Sequence, residues 1–183
     1  FDDEGYFKMG DAVRFDDESE PLKGLCFAGR VAEEFKLNSG TWVSAGTLRA
    51  EAVSAASPYI RDVVVCGLNE AFVGLLVWPN IEACASLLDN ESGEQLGIQT
   101  LISSQRVKAK INEGLRAHNT ANPESSKYIR RCLLLSEQPN PGAYEITDKG
   151  YINQGEVQRR RAKDVSRLFT QNPDSDVEQL ENR

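Results

Sequence analysis

The sequence predicts an α+β domain in which a lead β-hairpin and a three-stranded sheet are flanked by helices. Two neighbouring runs rich in β-branched residues, "IRDVVVCG" and "FVGLLVWP", indicate two buried strands, and the later apolar run "YIRRCLLL" indicates a third. Helical periodicity appears before, between and after these runs. A chain of 183 residues is long enough to enclose one hydrophobic core of this kind.

The first elements of the domain lie just before the sheet strands. The segment "VAEEFKLNSGTWV" has a strand, turn, strand pattern with Ser39 and Gly40 at the turn. It leads into a helix predicted over "VSAGTLRAEAVSAAS". Either Ser44 or Thr47 can cap the start of this helix, and Pro58 marks its end.

The remaining helices follow the first two sheet strands. "NIEACASLLD" predicts a short helix, and a longer one begins near Gln99 and ends near "HNTANP", with lysines and arginines opposite its apolar stripe. After the third strand and a long loop, "NQGEVQRRRAKDVSRLF" predicts a single closing helix. The domain is therefore expected to span residues 31–170.

The two ends of the chain fit this domain poorly. Residues 1–30 carry a Gly10 and Asp11 turn, an acidic loop and another strand, without an amphipathic helix, so we expect the edge of a neighbouring, larger domain. A first residue Phe1 in place of methionine agrees with a piece of a longer polypeptide. Residues 171–183 contain few apolar side chains and are predicted to form a flexible tail.

Charge and apolar run length exclude two classes of function. A formal net charge of -7 argues against a nucleic-acid surface, which requires clustered Lys and Arg. Apolar runs such as "GLLVW" fall far short of the roughly 20 residues that span a bilayer, so no membrane partner is expected.

Cysteine and histidine usage argues against a metal site. Cys26, Cys66, Cys84 and Cys132 show no C-x-x-C spacing, and we interpret them as reduced core thiols of a cytoplasmic protein. The single histidine, His118, is predicted to lie on the surface, which leaves no histidine cluster for a metal and no Ser/His/Asp arrangement.

Three motifs stand in a fixed order between Gly5 and Gln154: "GYFKMGDAVRF", "FAGRVAEEFKLNSGTWVSAGTLRAE" and "EITDKGYINQ". Each motif alone is weakly specific, whereas the three in register are a strong combination. In this order they resemble the C-terminal lid domain of the adenylate-forming acyl-CoA synthetases, the ANL superfamily. The variant "FKLNSGTWVS" is most similar to that of the feruloyl-CoA synthetases.

The resemblance implies two half-reactions. A carboxylic acid and ATP, which enters with Mg²⁺, give an acyl-adenylate and pyrophosphate, and coenzyme A then displaces AMP to form a thioester. The acid is expected to be aromatic, of the hydroxycinnamate type. The partner of the lid is its own large N-terminal adenylation domain, so the present chain by itself is expected to be inactive.

Asp11 and Arg30 are the candidate nucleotide-binding residues. A carboxylate in a turn can accept two hydrogen bonds from the cis diol of a ribose, and an arginine offers a rigid fork of donors to ribose oxygens. On spacing alone, Asp11 more often completes its own turn, and Arg30 more often pairs with Glu33 or Glu34. The resemblance favours the nucleotide role for both residues.

Lys149 is the candidate catalytic residue. When a carboxylate attacks the α-phosphate of ATP, negative charge builds on the transition-state oxygens, and an ammonium on a mobile loop can offset it. Without the resemblance, a solvated loop lysine is the ordinary explanation. The resemblance implies that Lys149 is the adenylation lysine.

The resemblance assigns the lead hairpin to the thioester-forming state, reached by rotation of the lid. Lys36, Ser39, Gly40 and Trp42 are the candidate residues facing the pantetheine path, with either Gly40 or Ser39 closest to it. Ala32 occupies the hinge position, which only has to absorb a backbone rotation.

Two alternatives to the lid remain. A non-catalytic module could bind an acidic partner through the basic helix around Arg159, Arg160 and Arg161, although a solvated helix face is the simpler explanation of that run. A stand-alone small enzyme ranks last, because the sequence offers no phosphate loop, no nucleophile with its base and no metal ligand set.

Overall fold

The computed structural model describes residues 1–7, 9–88 and 96–181, and the side chains of residues 27–30 and 32 lie outside the described part. The strands are β1 (Asp11–Phe15), β2 (Leu25–Arg30), β3 (Glu34–Lys36), β4 (Trp42–Ser44), β5 (Ile60–Cys66), β6 (Val73–Pro79), β7 (Ile129–Leu134) and β8 (Val177–Gln179). The helices are α1 (Ala45–Ala55), α2 (Ile81–Ser86), α3 (Ile98–Ser103), α4 (Gln105–Ala121), α5 (Gln154–Arg160) and α6 (Ala162–Phe169).

The central sheet has the strand order β5-β6-β7-β8 and is mixed, because β6 and β7 run parallel while the other neighbouring pairs are antiparallel. Two antiparallel ribbons precede it, β1 with β2 and β3 with β4. The α+β fold class and the lead hairpin predicted from the sequence are therefore confirmed.

The sheet is buried on both faces, which explains why its strands are continuous apolar runs. Alternate residues enter different clusters: Val63 and Val65 pack on the face that carries α1, α2, α3 and α4, here called the first face. Val64 and Cys66 pack on the opposite, second face, together with Val157 of α5 and Leu168 of α6. A period of two along each strand thus separates the domain into two cores.

The central sheet has one more strand than the sequence predicted, and this strand lies in the segment 171–183 that was expected to be a flexible tail. β8 lies within that tail and adds a fourth strand to the free edge of β7. Two apolar side chains of this segment go to different faces, Val177 (5% exposed) to the second and Leu180 (0% exposed) to the first. The side chains of Lys108 and Glu178 form an ion pair at 2.9 Å that also ties β8 to α4.

Both of the longer predicted helices are interrupted. The helix expected from near Gln99 is broken at Ser104, whose backbone is extended (φ -70, ψ 122) and whose hydroxyl accepts a hydrogen bond from Val107 N at the start of α4. The closing helix is broken at Arg161, between α5 and α6. Among the described helices, none combines the length and the apolarity that a bilayer crossing requires.

Two single-residue expectations also need correction. His118 is buried, and its Nε2 lies 3.1 Å from the carbonyl of Lys127 in the loop that leads into β7. Cys66, Cys84 and Cys132 are buried thiols as expected, whereas Cys26 is only partly covered and its Sγ lies 3.2 Å from a carboxylate oxygen.

Candidate active site

The lead hairpin of β3 and β4 is rooted in the first-face core. Leu37 and Val43, 3% and 0% exposed, anchor it there. Two backbone hydrogen bonds of 2.9 Å also join it to the turn between β5 and β6. The root of the hairpin is thus fixed, while Ser39 and Gly40 at its tip are exposed.

The tip of this hairpin is a tight turn. Leu37 N–H donates to the carbonyl of Thr41 (3.0 Å), and Gly40 N–H donates to the carbonyl of Leu37 (2.9 Å). Gly40 has φ +86, the left-handed conformation that closes a three-residue hairpin loop after a type I turn. Ser39 is exposed, with its hydroxyl 3.0 Å from that of Thr41. Gly40 therefore supplies the backbone conformation of the turn, and Ser39 supplies an exposed hydroxyl beside it.

Lys36 and Trp42 are cross-strand partners at the end of the same hairpin. The Lys36 ammonium lies 4.6 Å from the centroid of the Trp42 ring, within cation–π distance, and the indole remains 59% exposed. The structure therefore brings all four predicted hairpin residues together on one exposed element.

Lys149 lies at the tip of a second hairpin. Thr147 N–H donates to the carbonyl of Tyr151 (2.8 Å), Gly150 N–H donates to the carbonyl of Thr147 (2.8 Å), and Gly150 has φ +82. Lys149 is exposed, and among the described residues it has no ion-pair partner. Its ammonium is therefore held at the end of an ordered turn and is open to solvent.

The base of the Lys149 hairpin packs on the second face of the sheet. Ile146 and Ile152 form an antiparallel bridge and both contact the second-face cluster. Beside them Glu145, 3% exposed, pairs with the guanidinium of Arg161 at 2.9 Å. Burial alone would raise the pKa of the Glu145 carboxyl, but the hydrogen bonds from Arg161 and from the backbone of Asn140 bring that pKa below its ordinary value.

Directly after the hairpin, Gln154 joins α5 to the edge of the sheet. Its buried amide accepts from Val65 N–H (2.9 Å) and donates to the carbonyl of Val63 (3.1 Å), so it satisfies backbone groups of the edge strand β5. Gln158 adds a bond to the carbonyl of Val65 at 3.1 Å. The motif "EITDKGYINQ" thus ends in a residue that fixes the position of the whole segment.

Asp11 and Arg30 are brought together in the first ribbon. Asp11 is exposed and opens β1, and its register partner across the ribbon is Arg30, the last residue of β2. Gly10, with φ +76, accepts a hydrogen bond at its carbonyl from Val31 N–H (2.9 Å) and closes this end of the ribbon. The Arg30 side chain lies outside the described part of the structure.

Ala32, the predicted hinge, lies in a single 3-10 turn, Val31–Glu33, that connects β2 to β3. The Ala32 side chain also lies outside the described part. The backbone nevertheless places the residue at the junction between the first ribbon and the lead hairpin.

The sequence did not identify Glu145, Gln154 or Arg161 as site residues. Arg161 was expected to lie on a solvated helix face, yet its side chain is only 9% exposed, and the polar residues Glu145 and Gln154 are buried. The one available signal was their place within or close behind the motif that contains Lys149. Their partners are distant in the chain, so a local pattern does not reveal their burial.

Solved structures with the same fold include parts of two carboxylic acid reductases and an acid ligase. The A-PCP didomain of carboxylic acid reductase from Segniliparus rugosus, in complex with AMP, matches with a TM-score of 0.69 and 21% identity, over 93% of this chain and 21% of that one. The adenylation domain of the carboxylate reductase from Mycobacterium chelonae matches with a TM-score of 0.69 and 19% identity, over 92% and 24%. Coronafacic acid ligase from Pectobacterium brasiliense matches with a TM-score of 0.51 and 15% identity, over 98% and 27%.

At these identities the similarity establishes the fold, and the chain spans about a quarter of the length of these proteins. No curated protein sequence matches the chain. The model of one family, the AMP-binding enzyme C-terminal domain, matches residues 37–173, which include both hairpin tips and the strands β5, β6 and β7 of the central sheet. The chain therefore belongs to the AMP-binding enzyme C-terminal domain family.

Proposed function

We propose that this chain is the mobile lid of an enzyme that activates a carboxylic acid as its adenylate and transfers the acyl group to coenzyme A. The observation that carries the proposal is the placement of the two hairpins. The lead hairpin is rooted in the first-face core and the Lys149 hairpin in the second-face core of one sheet. A body built in this way presents one hairpin or the other to a single site when it rotates.

In the adenylating orientation, the Lys149 ammonium offsets the charge that develops when the acid carboxylate attacks the α-phosphate of ATP and pyrophosphate leaves. Asp11 and Arg30, which face each other across the first ribbon, hold the ribose of the nucleotide. ATP enters as its Mg²⁺ complex. Residues 1–30 would be the last strands of the large domain, residues 31–170 the lid, and Ala32 the hinge between them.

In the thioester-forming orientation, the lead hairpin borders the pantetheine path of coenzyme A. Gly40 has no side chain, so the backbone at the tip is accessible, and even a Cβ there would meet no atom within 4 Å. Lys36 and Trp42 line the side of the hairpin. The thiol attacks the acyl carbonyl and AMP departs. An aromatic acid of the feruloyl type is the proposed substrate, on the basis of the motif "FKLNSGTWVS".

The alternative of a basic helix that binds an acidic partner has less support. Arg159 pairs with Glu156 at 2.6 Å, Arg161 pairs with Glu145, and Arg167 pairs with Asp174 at 2.8 Å. These arginines are therefore neutralised within the domain. Arg160 is the remaining member of the basic run, and only weak, salt-sensitive attraction for an acidic partner is expected from it.

Single-turnover assays of each half-reaction in the intact enzyme test the proposal. Lys149→Ala should slow acyl-adenylate formation on the order of 100-fold and spare thioester formation from supplied acyl-adenylate. Gly40→Asn, which tolerates the left-handed backbone but adds a side chain, should slow the thioester step and spare pyrophosphate release. Equal damage to both steps in both variants would overturn the two-hairpin assignment.

The present chain supplies a negative control. Incubated with ATP, coenzyme A and ferulate, it should release neither AMP nor a thioester, because the acid pocket and phosphate loop belong to the proposed large domain. Turnover proportional to the amount of pure chain would contradict the lid function.

A further inference from the structure

The third arginine of the basic run is part of the scaffold of the Lys149 hairpin. Arg161 donates from Nε to one carboxylate oxygen of Glu145 and from Nη2 to the other, each at 2.9 Å. This is the two-point geometry that an arginine and a carboxylate form at their strongest. Neither side chain is more than 9% exposed.

Glu145 lies at the base of the hairpin that carries Lys149. Its carbonyl accepts a hydrogen bond from Asn153 N–H at 2.9 Å. This bond is the cross-strand hydrogen bond of the hairpin that follows the Ile146–Ile152 bridge on the side away from the tip. Its carboxylate also accepts from Asn140 N–H at 2.8 Å. Glu145 therefore connects the two strands of the hairpin to each other and to the preceding loop.

Arg161 connects that base to the rest of the domain. Its guanidinium donates to the carbonyls of Glu137 and Gln138, each at 3.2 Å, and lies 5.4 Å from the centroid of the Trp78 ring at the end of β6. Trp78 is fully buried and donates its own N–H to the same Glu137 carbonyl at 2.8 Å. The hairpin base is thus tied to the sheet through a chain of hydrogen bonds.

A buried ion pair is a weak source of net stability, because the loss of hydration offsets most of the attraction. Its directional bonds nevertheless fix the relative positions of the groups it joins. A charge-stabilising lysine on a flexible stem depends on such alignment, since a displacement of about 1 Å can cost about 100-fold in rate.

We propose that Glu145 and Arg161 are positioning residues for Lys149, fixing the base of its hairpin so that the ammonium is presented in one place. The role assigned to Lys149 rests on the proposed function, whereas the effect on the hairpin itself does not. Two measurements test the effect on the hairpin and the role of Lys149 separately.

The first measurement is amide hydrogen exchange in the present chain. Glu145→Gln should accelerate exchange at the hydrogen-bonded amides of Thr147, Gly150 and Asn153 by about tenfold or more, while the amides of β6 are unchanged. The matched control is Glu156→Gln, which removes an exposed ion pair on α5 and should change none of the three hairpin amides. Unchanged hairpin exchange in Glu145→Gln would overturn the proposal, whatever the fate of the proposed function.

A variant that fails to fold does not stop the test. If Glu145→Gln is not folded, Arg161→Lys replaces it, because one ammonium cannot reproduce the paired bonds from Nε and Nη2. The double variant Glu145→Gln with Arg161→Met removes both buried charges and should recover the thermal midpoint lost by Glu145→Gln alone. Its hairpin amides should stay fast, and recovery of slow exchange would show that stability, and not alignment, was the role of the pair.

The second measurement is the rate of each half-reaction in the intact enzyme. The double variant should slow acyl-adenylate formation about tenfold or more, with the KM for ATP little changed and the thioester step spared. Arg159→Gln should leave both steps unchanged. If Lys149→Ala slows adenylation but the double variant does not, the positioning role fails and the proposed function stands.

Discussion

Gly40 and Gly150 hold the same position in two turns of the same kind. Their φ angles are +86 and +82, and each N–H donates to the carbonyl three residues earlier, at 2.9 and 2.8 Å. A Cβ at either position would meet no atom within 4 Å. Glycine is therefore required at both hairpin tips by the backbone conformation, and not by a lack of room for a side chain.

This requirement predicts how substitutions affect stability. Gly150→Ala should lower the free energy of unfolding of the chain by about 1–2 kcal/mol, because alanine is strained in the left-handed region. Gly150→Asn should cost clearly less, since asparagine adopts that region more readily. Urea denaturation checks both variants, and equal losses would contradict the turn assignment.

The segment after α6 is expected to be essential for stability. Leu180 is fully buried against the first-face core, so Leu180→Ala should lower the free energy of unfolding by about 2–5 kcal/mol. Leu22, which is 103% exposed, provides the matched control, and Leu22→Ala should leave the urea midpoint unchanged. A negligible effect of Leu180→Ala would mean that this segment is a flexible tail, as the sequence predicted.

Gly114 of α4 is required for close helix packing. A Cβ at this position would lie 2.7 Å from the Cα of Ala56 and against the carbonyl of Ala55, both at the end of α1. Gly114→Ala should therefore destabilise the chain by about 1–3 kcal/mol in thermal or urea unfolding.

The control for Gly114 is a helical glycine with open surroundings. At Gly155 of α5 the nearest atom to a Cβ is 4.0 Å away, so Gly155→Ala should be neutral or stabilise by up to about 1 kcal/mol. If Gly155→Ala lowered the free energy of unfolding more than Gly114→Ala, α1 and α4 would not be packed as described.

The four cysteines should differ sharply in reactivity. Burial raises the pKa of Cys66 and Cys132 to about 12 and that of Cys84 to about 11, whereas Cys26 is only partly covered. An aromatic disulfide reagent at pH 8 should therefore modify Cys26 first. The other three thiols should react only after denaturation, and Cys26→Ser should abolish the early phase.

The tail should also show a defined pH dependence. The side-chain hydrogen bond from Arg167 holds the pKa of Asp174 at about 2, below that of an unfolded chain. A lowered folded-state pKa means that the stabilisation is fully present above the unfolded pKa and is lost as pH falls toward about 2.

Asp174→Asn tests this dependence. The urea midpoints of the variant and the original chain should differ at pH 6 and converge as pH falls through about 4 toward about 2. A difference that stays constant over this range would mean that Asp174 acts through its shape and not its charge. Asp164→Asn, on the same arginine at 3.5 Å, is the comparison for a weaker bond.

Features that depend on near neighbours were readable from the sequence by itself. The apolar runs of β5, β6 and β7 predicted strands, and Ser39 and Gly40 predicted the turn between β3 and β4. The start of α1 was narrowed to Ser44 or Thr47, and the structure has Ser44 as its N-cap residue. Strand propensity and turn chemistry act over a few residues, so the local pattern was sufficient.

Features that depend on distant partners were decided by the tertiary structure alone. β8 exists because β7 offers a free edge and because Lys108 meets Glu178, far apart in the chain. Arg161 and Glu145 are buried together although each belongs to a polar local stretch. The placement of the two hairpins on opposite faces likewise follows from how the strands pack. A charged or polar residue is buried only where a partner compensates its lost hydration, and the fold determines which partner that is.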